Sequence, residues 1–223
     1  MIFWDQFARS QCFPDCSCEV IHVESLINQP IAFWSSLAYL VPIYFLNKKI
    51  KEKTELTRLW NLCLIVLAIC SMLCHAGFTR LNVAMDFACI GVLMGFFLFA
   101  HYFKGKKLYS SLAAFYVALV FVNYSLGKWE KISICIMVYL AAFYELILNK
   151  GKHFYKARNL QVSVLILTVS FLIFLLDDQR IAFCDPDGWF AGHTLWHLGT
   201  AWSAYYFARW RFIDENSSSP VAG

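Results

Sequence analysis

Five residues of this sequence have types and spacings that could do chemistry together: Ser71 and His75, Asp86, and His193 and His197. The members of each pair are four residues apart, so on a helix they share one face. They sit in "CSMLCHAGF", "LNVAMDF" and "GHTLWHLGTAW", all within or at the ends of apolar runs. Ionisable side chains in such runs are costly and mark function by default. Three imidazoles are a recognised zinc ligand set that leaves a fourth position for water. Two histidines at i, i+4 on a helix can bite one metal, and the metal brings its bound water's pKa to about 7. Asp86 could take or orient that water's proton. Ser71 could donate to a developing oxyanion. The set describes metal-assisted hydrolysis of an acyl bond. Taken singly, its parts say less. A lone histidine pair at a helix end is more often a hydrogen-bonded interfacial pair, and a lone serine commonly packs between membrane helices.

The elements that must position these residues follow from composition and hydropathy. The chain has 223 residues, 60% of them hydrophobic and 18% aromatic. Its mean hydropathy is +0.55, which excludes an ordinary soluble domain. Seven apolar runs are predicted as helices: 31–47, 59–78, 83–103, 108–126, 131–149, 159–176 and 189–208. Each is long enough to cross about 30 Å of hydrocarbon, where backbone groups must be paired internally. The expected fold is an all-α membrane protein, a seven-transmembrane helix bundle over 31–208. Residues 1–30 form a non-cytoplasmic N-terminal segment, and 209–223 a disordered cytoplasmic tail. Pro30 suits a first-turn position, and Pro42 is expected to kink the first span. Trp60, Tyr102, Tyr109, Trp129, Trp189 and Trp210 suit interfacial belts. The N-terminus has no uninterrupted apolar core, so a cleaved signal peptide is not expected.

Loop charge gives an orientation. Five of the 19 basic residues (Arg9, Arg80, Lys128, Lys131 and Arg180) fall on one side of a seven-span chain, and the rest fall on the other. The positive-inside rule then places the C-terminus in the cytoplasm and the N-terminus outside or in a lumen. A bacterial inner membrane and the endoplasmic reticulum or Golgi both suit this. In that topology spans two, three and seven bring Ser71, His75, Asp86, His193 and His197 into the same outer leaflet. The net charge of +4 forms no basic groove with interleaved aromatics, so a nucleic-acid partner is not expected. Nine cysteines are present. Cys63, Cys70, Cys74, Cys89 and Cys135 read as small apolar packing residues. Cys12, Cys16, Cys18 and Cys184 lie on the outer side, where oxidation is permitted, and sequence leaves their pairing open.

Ser71-x3-His75, Asp86 in the next span and His193-x3-His197 in span seven together resemble the alkaline ceramidase family. So do "CEV" from Cys18, "FWSSLAY" from Phe33 to Tyr39, and "FCDP" from Phe183 to Pro186. That family belongs to a wider superfamily of seven-span membrane hydrolases that includes adiponectin-receptor-like proteins. The likeness covers about residues 16 to 208. It implies zinc on His75, His193 and His197, with Asp86 as acid/base and Ser71 as oxyanion or zinc-water partner. It implies a membrane lipid substrate, ceramide or a related lipid amide, cleaved to a long-chain base and a fatty acid. It also implies a disulfide between Cys18 and Cys184. The family's N-terminal calcium site is matched here only at Glu19. Cys16, Ser17 and Ile21 stand where the pattern has other residues, so calcium is not expected. Three other readings of the same side chains stay open. They are an ester hydrolase on phospholipids, a seven-span sensor with structural zinc, and haem held between His75 and a span-seven histidine.

Overall fold

The computed structural model describes residues 3–10, 18–50, 52–126, 158–186, 188 and 191–214. Among these residues all regular structure is helical: α1 (Pro30–Ser35), α2 (Val41–Lys49), α3 (Glu55–Gly77), α4 (Arg80–Tyr102), α5 (Gly105–Leu126), α6 (Arg158–Asp178) and α7 (Gly192–Arg209). A 3₁₀ segment, Ser36–Leu40, joins α1 to α2, so the first apolar run is one interrupted span. Pro30 opens α1, and Pro42 follows the first residue of α2. The missing proline N–H is harmless in a first turn, and the irregular stretch lies just before Pro42.

Five helices are long and apolar enough to cross a membrane: Pro30–Lys49, Glu55–Gly77, Arg80–Tyr102, Gly105–Leu126 and Arg158–Asp178. The described residues therefore give five such spans rather than seven. The run 131–149 lies outside them. The run 189–208 contributes α7 (Gly192–Arg209), which is not one of the five. His193, Thr194, His197, Thr200 and Ser203 make it too polar. Lipid-facing stripes mark the spans. Leu62, Ile65, Ile69 and Leu73 are exposed along α3, and Leu165, Val169 and Leu172 along α6. Their three- and four-residue spacing follows one helix face.

Two threonines set the central hairpin. Thr54 caps α3 by accepting from the Thr57 amide at 3.2 Å. Thr79 caps α4 by accepting from the Asn82 amide, also at 3.2 Å. Between α3 and α4 only Phe78 and Thr79 intervene, and Phe78 turns the chain at φ 47°. A bulky residue rarely adopts that conformation. Here the ring is buried, the Phe78 amide bonds to the Cys74 carbonyl at 2.7 Å, and the Phe78 carbonyl accepts from Ser10 at 3.0 Å. The N-terminal segment thus lies back over the hairpin. At the opposite end an aromatic cluster joins α3, α4 and α7. Trp60 stacks on Phe97 at 5.1 Å and meets Phe96 edge-on, and Phe207 closes on Phe97. Trp60 is 1% exposed and Trp210 is 5% exposed, so both are core residues and not the interfacial anchors expected from their positions. The reason is partnership: Trp60 meets rings of α4 and α7, while Trp210 packs on Phe207 and on Leu160 of α6. The chain stays helical through Asp214, which moves the tail boundary expected at 209.

Small residues let α6 and α7 approach closely. Ser163 and Ser203 bond reciprocally to each other's carbonyls at 2.8 and 2.9 Å. One turn nearer the start of α7, a Cβ added at Gly199 would lie 1.8 Å from Ser170 Oγ and 2.8 Å from Ser170 Cβ. Gly199→Ala should therefore lower the melting temperature in detergent, and Gly199→Leu should lower it further, by about 1–3 kcal/mol of overpacking. Ser170→Ala should recover part of the Gly199→Ala loss. Equal melting of Gly199→Leu and wild type would show that the two helices are not in close contact.

Candidate metal centre

Ser71 and His75 occupy the last two turns of α3, and His193 and His197 the first two turns of α7. The helices run so that these turns meet at one end of the bundle. His75 and His197 are 2% and 1% exposed, and His193 is half-buried. One ring nitrogen from each of the three lies within 4.8 Å of the other two. His75 Nε2 and His193 Nε2 are 3.1 Å apart. A tetrahedral ion with bonds of about 2.1 Å needs its ligand nitrogens about 3.4 Å apart. The cluster brackets that spacing, so these residues fit a metal ion. Ring centroids separated by 4.7, 5.2 and 4.8 Å and steeply crossed planes complete a three-sided cup.

The outer nitrogens decide which lone pairs face inward. His75 Nδ1 lies 2.9 Å from Gln29 Oε1. Gln29 Nε2 donates to the Glu19 carbonyl at 3.4 Å, which turns the amide oxygen toward the histidine. An amide oxygen only accepts, so His75 carries its proton on Nδ1 and presents a bare Nε2. His197 Nδ1 lies 2.8 Å from Ser35 Oγ. That hydroxyl donates its own proton to the Ala32 carbonyl at 3.0 Å and accepts from the ring. His197 Nε2 is then also bare, and Ser71 Oγ stands 3.4 Å from it. Ser36 supports Ser71 through a 3.0 Å hydroxyl contact. Tyr39 packs its ring on His197 at 5.7 Å and bonds through its hydroxyl to Thr200 at 3.0 Å.

Of the five residues expected to act together, the structure gathers Ser71, His75, His193 and His197. Asp86 is half-buried on α4 and is not a member of the ligand cluster. Its charge reaches Tyr39, the residue that packs on His197. The Cys18 and Cys184 sulfurs are 2.05 Å apart, so these two cysteines form a disulfide. Cys12 and Cys16 lie outside the described residues. Glu19, the one match to a calcium pattern, accepts from the Ile31 amide at 2.7 Å on one oxygen and from the Ala32 amide at 2.9 Å on the other. Those bonds cap α1. Both oxygens of Glu19 are thus engaged at the start of α1.

Sequence reasoning missed Gln29, Ser35, Ser36, Tyr39 and Asp177. The serines and Tyr39 lie in "FWSSLAY", whose polar residues interrupt an otherwise apolar run. Asp177 reads as the outer end of a span, yet it is 0% exposed and accepts from the Gly192 amide at 3.1 Å, beside His193. Comparison with protein-family models, with curated proteins and with solved structures found no match to this chain.

Burial holds the Glu19 carboxyl above its ordinary value of 4.5; the Ala32 and Ile31 amides pull it down, and the charge of Asp177 pushes it further up. The net rise means that folding favours the proton. Its stabilising contribution is complete below pH 4.5 and is lost as pH rises through the folded value. Glu19→Gln cannot titrate. Thermal melts from pH 4 upward should therefore show wild type losing stability relative to Glu19→Gln as pH rises. A pH-independent gap between the two would contradict the assignment.

Proposed function

We propose that this chain is an intramembrane metal-dependent hydrolase that cleaves a lipid amide of the ceramide type, with zinc held by His75, His193 and His197. The observation that carries this reading is the convergence of three histidine nitrogens, from two helices, within 4.8 Å. Two of these rings have their outer nitrogens engaged by Gln29 and Ser35, which fits ligation through Nε2. Donor type favours zinc over calcium or magnesium, which prefer oxygen. When bound, such an ion supplies Lewis acidity and an activated water.

The chain's own groups would supply the rest. Ser71 Oγ, held by Ser36, is placed to donate to an oxygen that gains charge when the acyl carbon is attacked. Asp86 on α4 is the carboxylate assigned to take the water's proton and return it to the leaving amine. Tyr39 and Thr200 hold the His197 side of the cup in place. A lipid substrate suits the surroundings. Its tails can remain in hydrocarbon beside the exposed apolar stripes while its polar head reaches the histidines. The seven-span topology, with the N-terminus on the non-cytoplasmic side, belongs to the same proposal. So does the preference for an amide over an ester.

The test uses detergent-purified protein, elemental analysis, and fatty-acid release from ceramide and from phospholipid assayed separately. Wild type should carry one zinc and release fatty acid from ceramide. His193→Ala should lose both zinc and hydrolysis. Ser71→Ala should keep zinc and slow turnover by about 10²- to 10³-fold. Asp86→Asn should keep zinc and lose turnover. A full equivalent of zinc on His193→Ala would overturn the ligand set. Fatty acid released from phospholipid alone would replace amidase by esterase.

A further inference from the structure

We infer that Gln29 is a positioning residue that sets the affinity of the three-histidine site for a divalent cation. The inference rests on the metal reading above and adds a residue that the sequence pattern did not contain.

Gln29 is 0% exposed and lies in the segment that crosses the end of α3. Its backbone already fastens that segment, because the Gln29 amide donates to the His75 carbonyl at 3.0 Å and the Asn28 amide donates to the Ala76 carbonyl at 3.0 Å. The side chain reaches the ring of His75 through the 2.9 Å contact from Oε1 to Nδ1. Its own orientation is fixed from the far side by the Glu19 carbonyl. A histidine ligand whose outer N–H has a committed acceptor keeps one tautomer and one ring angle, and its inner nitrogen becomes a better donor. Losing such a partner in other metal sites costs 10- to 100-fold in metal affinity. An isosteric apolar side chain at 29 would leave His75 free to turn and to place its proton on the nitrogen that should bind the ion. A carboxylate there would accept the same hydrogen bond more strongly.

Full-length wild type, Gln29→Met and Gln29→Glu are purified, stripped with chelator and titrated with zinc against a competing fluorescent chelator. Metal-free melting temperatures are recorded alongside. Gln29→Met should bind zinc 10- to 100-fold more weakly than wild type, and Gln29→Glu, which keeps the acceptor for His75 but lacks the N–H that meets the Glu19 carbonyl, should bind more tightly than Gln29→Met. Cobalt-loaded Gln29→Met should also show an altered visible spectrum, which loss of packing alone would not produce. Wild-type affinity in Gln29→Met overturns the inference and leaves the metal reading standing. Equal weakening in both variants also overturns it, because a packing role would not spare the carboxylate. Should Gln29→Met fail to fold, Gln29→Glu decides alone: affinity more than 100-fold below wild type overturns the inference. Wild type that binds no zinc overturns the metal reading and this inference with it.

Discussion

Three imidazoles are packed against one another at one end of an apolar bundle, and most of the structure around them answers that constraint. Buried polar atoms need partners, and charged forms are disfavoured there. The two nitrogens of each ring must find different surroundings. The solution is directional. His75 gives its outer N–H to Gln29, and His197 gives its own to Ser35. The remaining nitrogens face one another across a gap that a metal ion fits. A cluster with the same residues but random tautomers would put N–H against N–H and repel itself.

The partners are held as firmly as the rings, and the holding comes from helix termini. Glu19 satisfies two of the free amides at the start of α1, while Asp177 satisfies one at the start of α7. These are the two helices that carry Ser35 and His197. The carboxylates are near enough for Asp177 to raise the Glu19 carboxyl, and the Cys18–Cys184 disulfide joins the segments that follow and precede them. One small assembly therefore sets where α1 begins, where α7 begins and where Gln29 sits. Movement of any member changes the angle at which the histidines meet.

The sequence made the ligands legible and left their supports hidden. His75, His193 and His197 stand out because imidazoles are scarce in apolar runs and because i, i+4 spacing has one meaning on a helix. Ser35 and Ser36 do not stand out, because serine is common between membrane helices and no spacing rule links residue 35 to residue 197. Gln29 reads as a loop residue before a proline. Asp177 reads as the outer end of a span, since its burial depends on Gly192 arriving from a later segment. Hydropathy located α3 to α6 within a few residues and placed the break near Pro42. It misjudged Trp60 and Trp210, because distance from a helix end cannot reveal the four rings around Trp60 or the Phe207 and Leu160 side chains against Trp210. It also overstated the apolar character of the last run.

That last run shows how chemistry and membrane insertion compete within one helix. α7 carries two histidines, two threonines and a serine in its 18 residues. Exposed to lipid, each would cost free energy that no apolar neighbour returns. Three of the five are instead answered from different neighbours: His197 by Ser35, Thr200 by Tyr39, and Ser203 by Ser163 on α6. The helix is thus more polar than the other spans, and it sits where α1, α2, the 3₁₀ segment and α6 can enclose it. Its small residues, Gly192 and Gly199, draw α6 close enough to do so. This helix can hold two histidines because its polar side chains face neighbouring helices, and those neighbours contribute the hydrogen bonds that orient the rings, while Leu198 and Trp202 stay exposed on its other side.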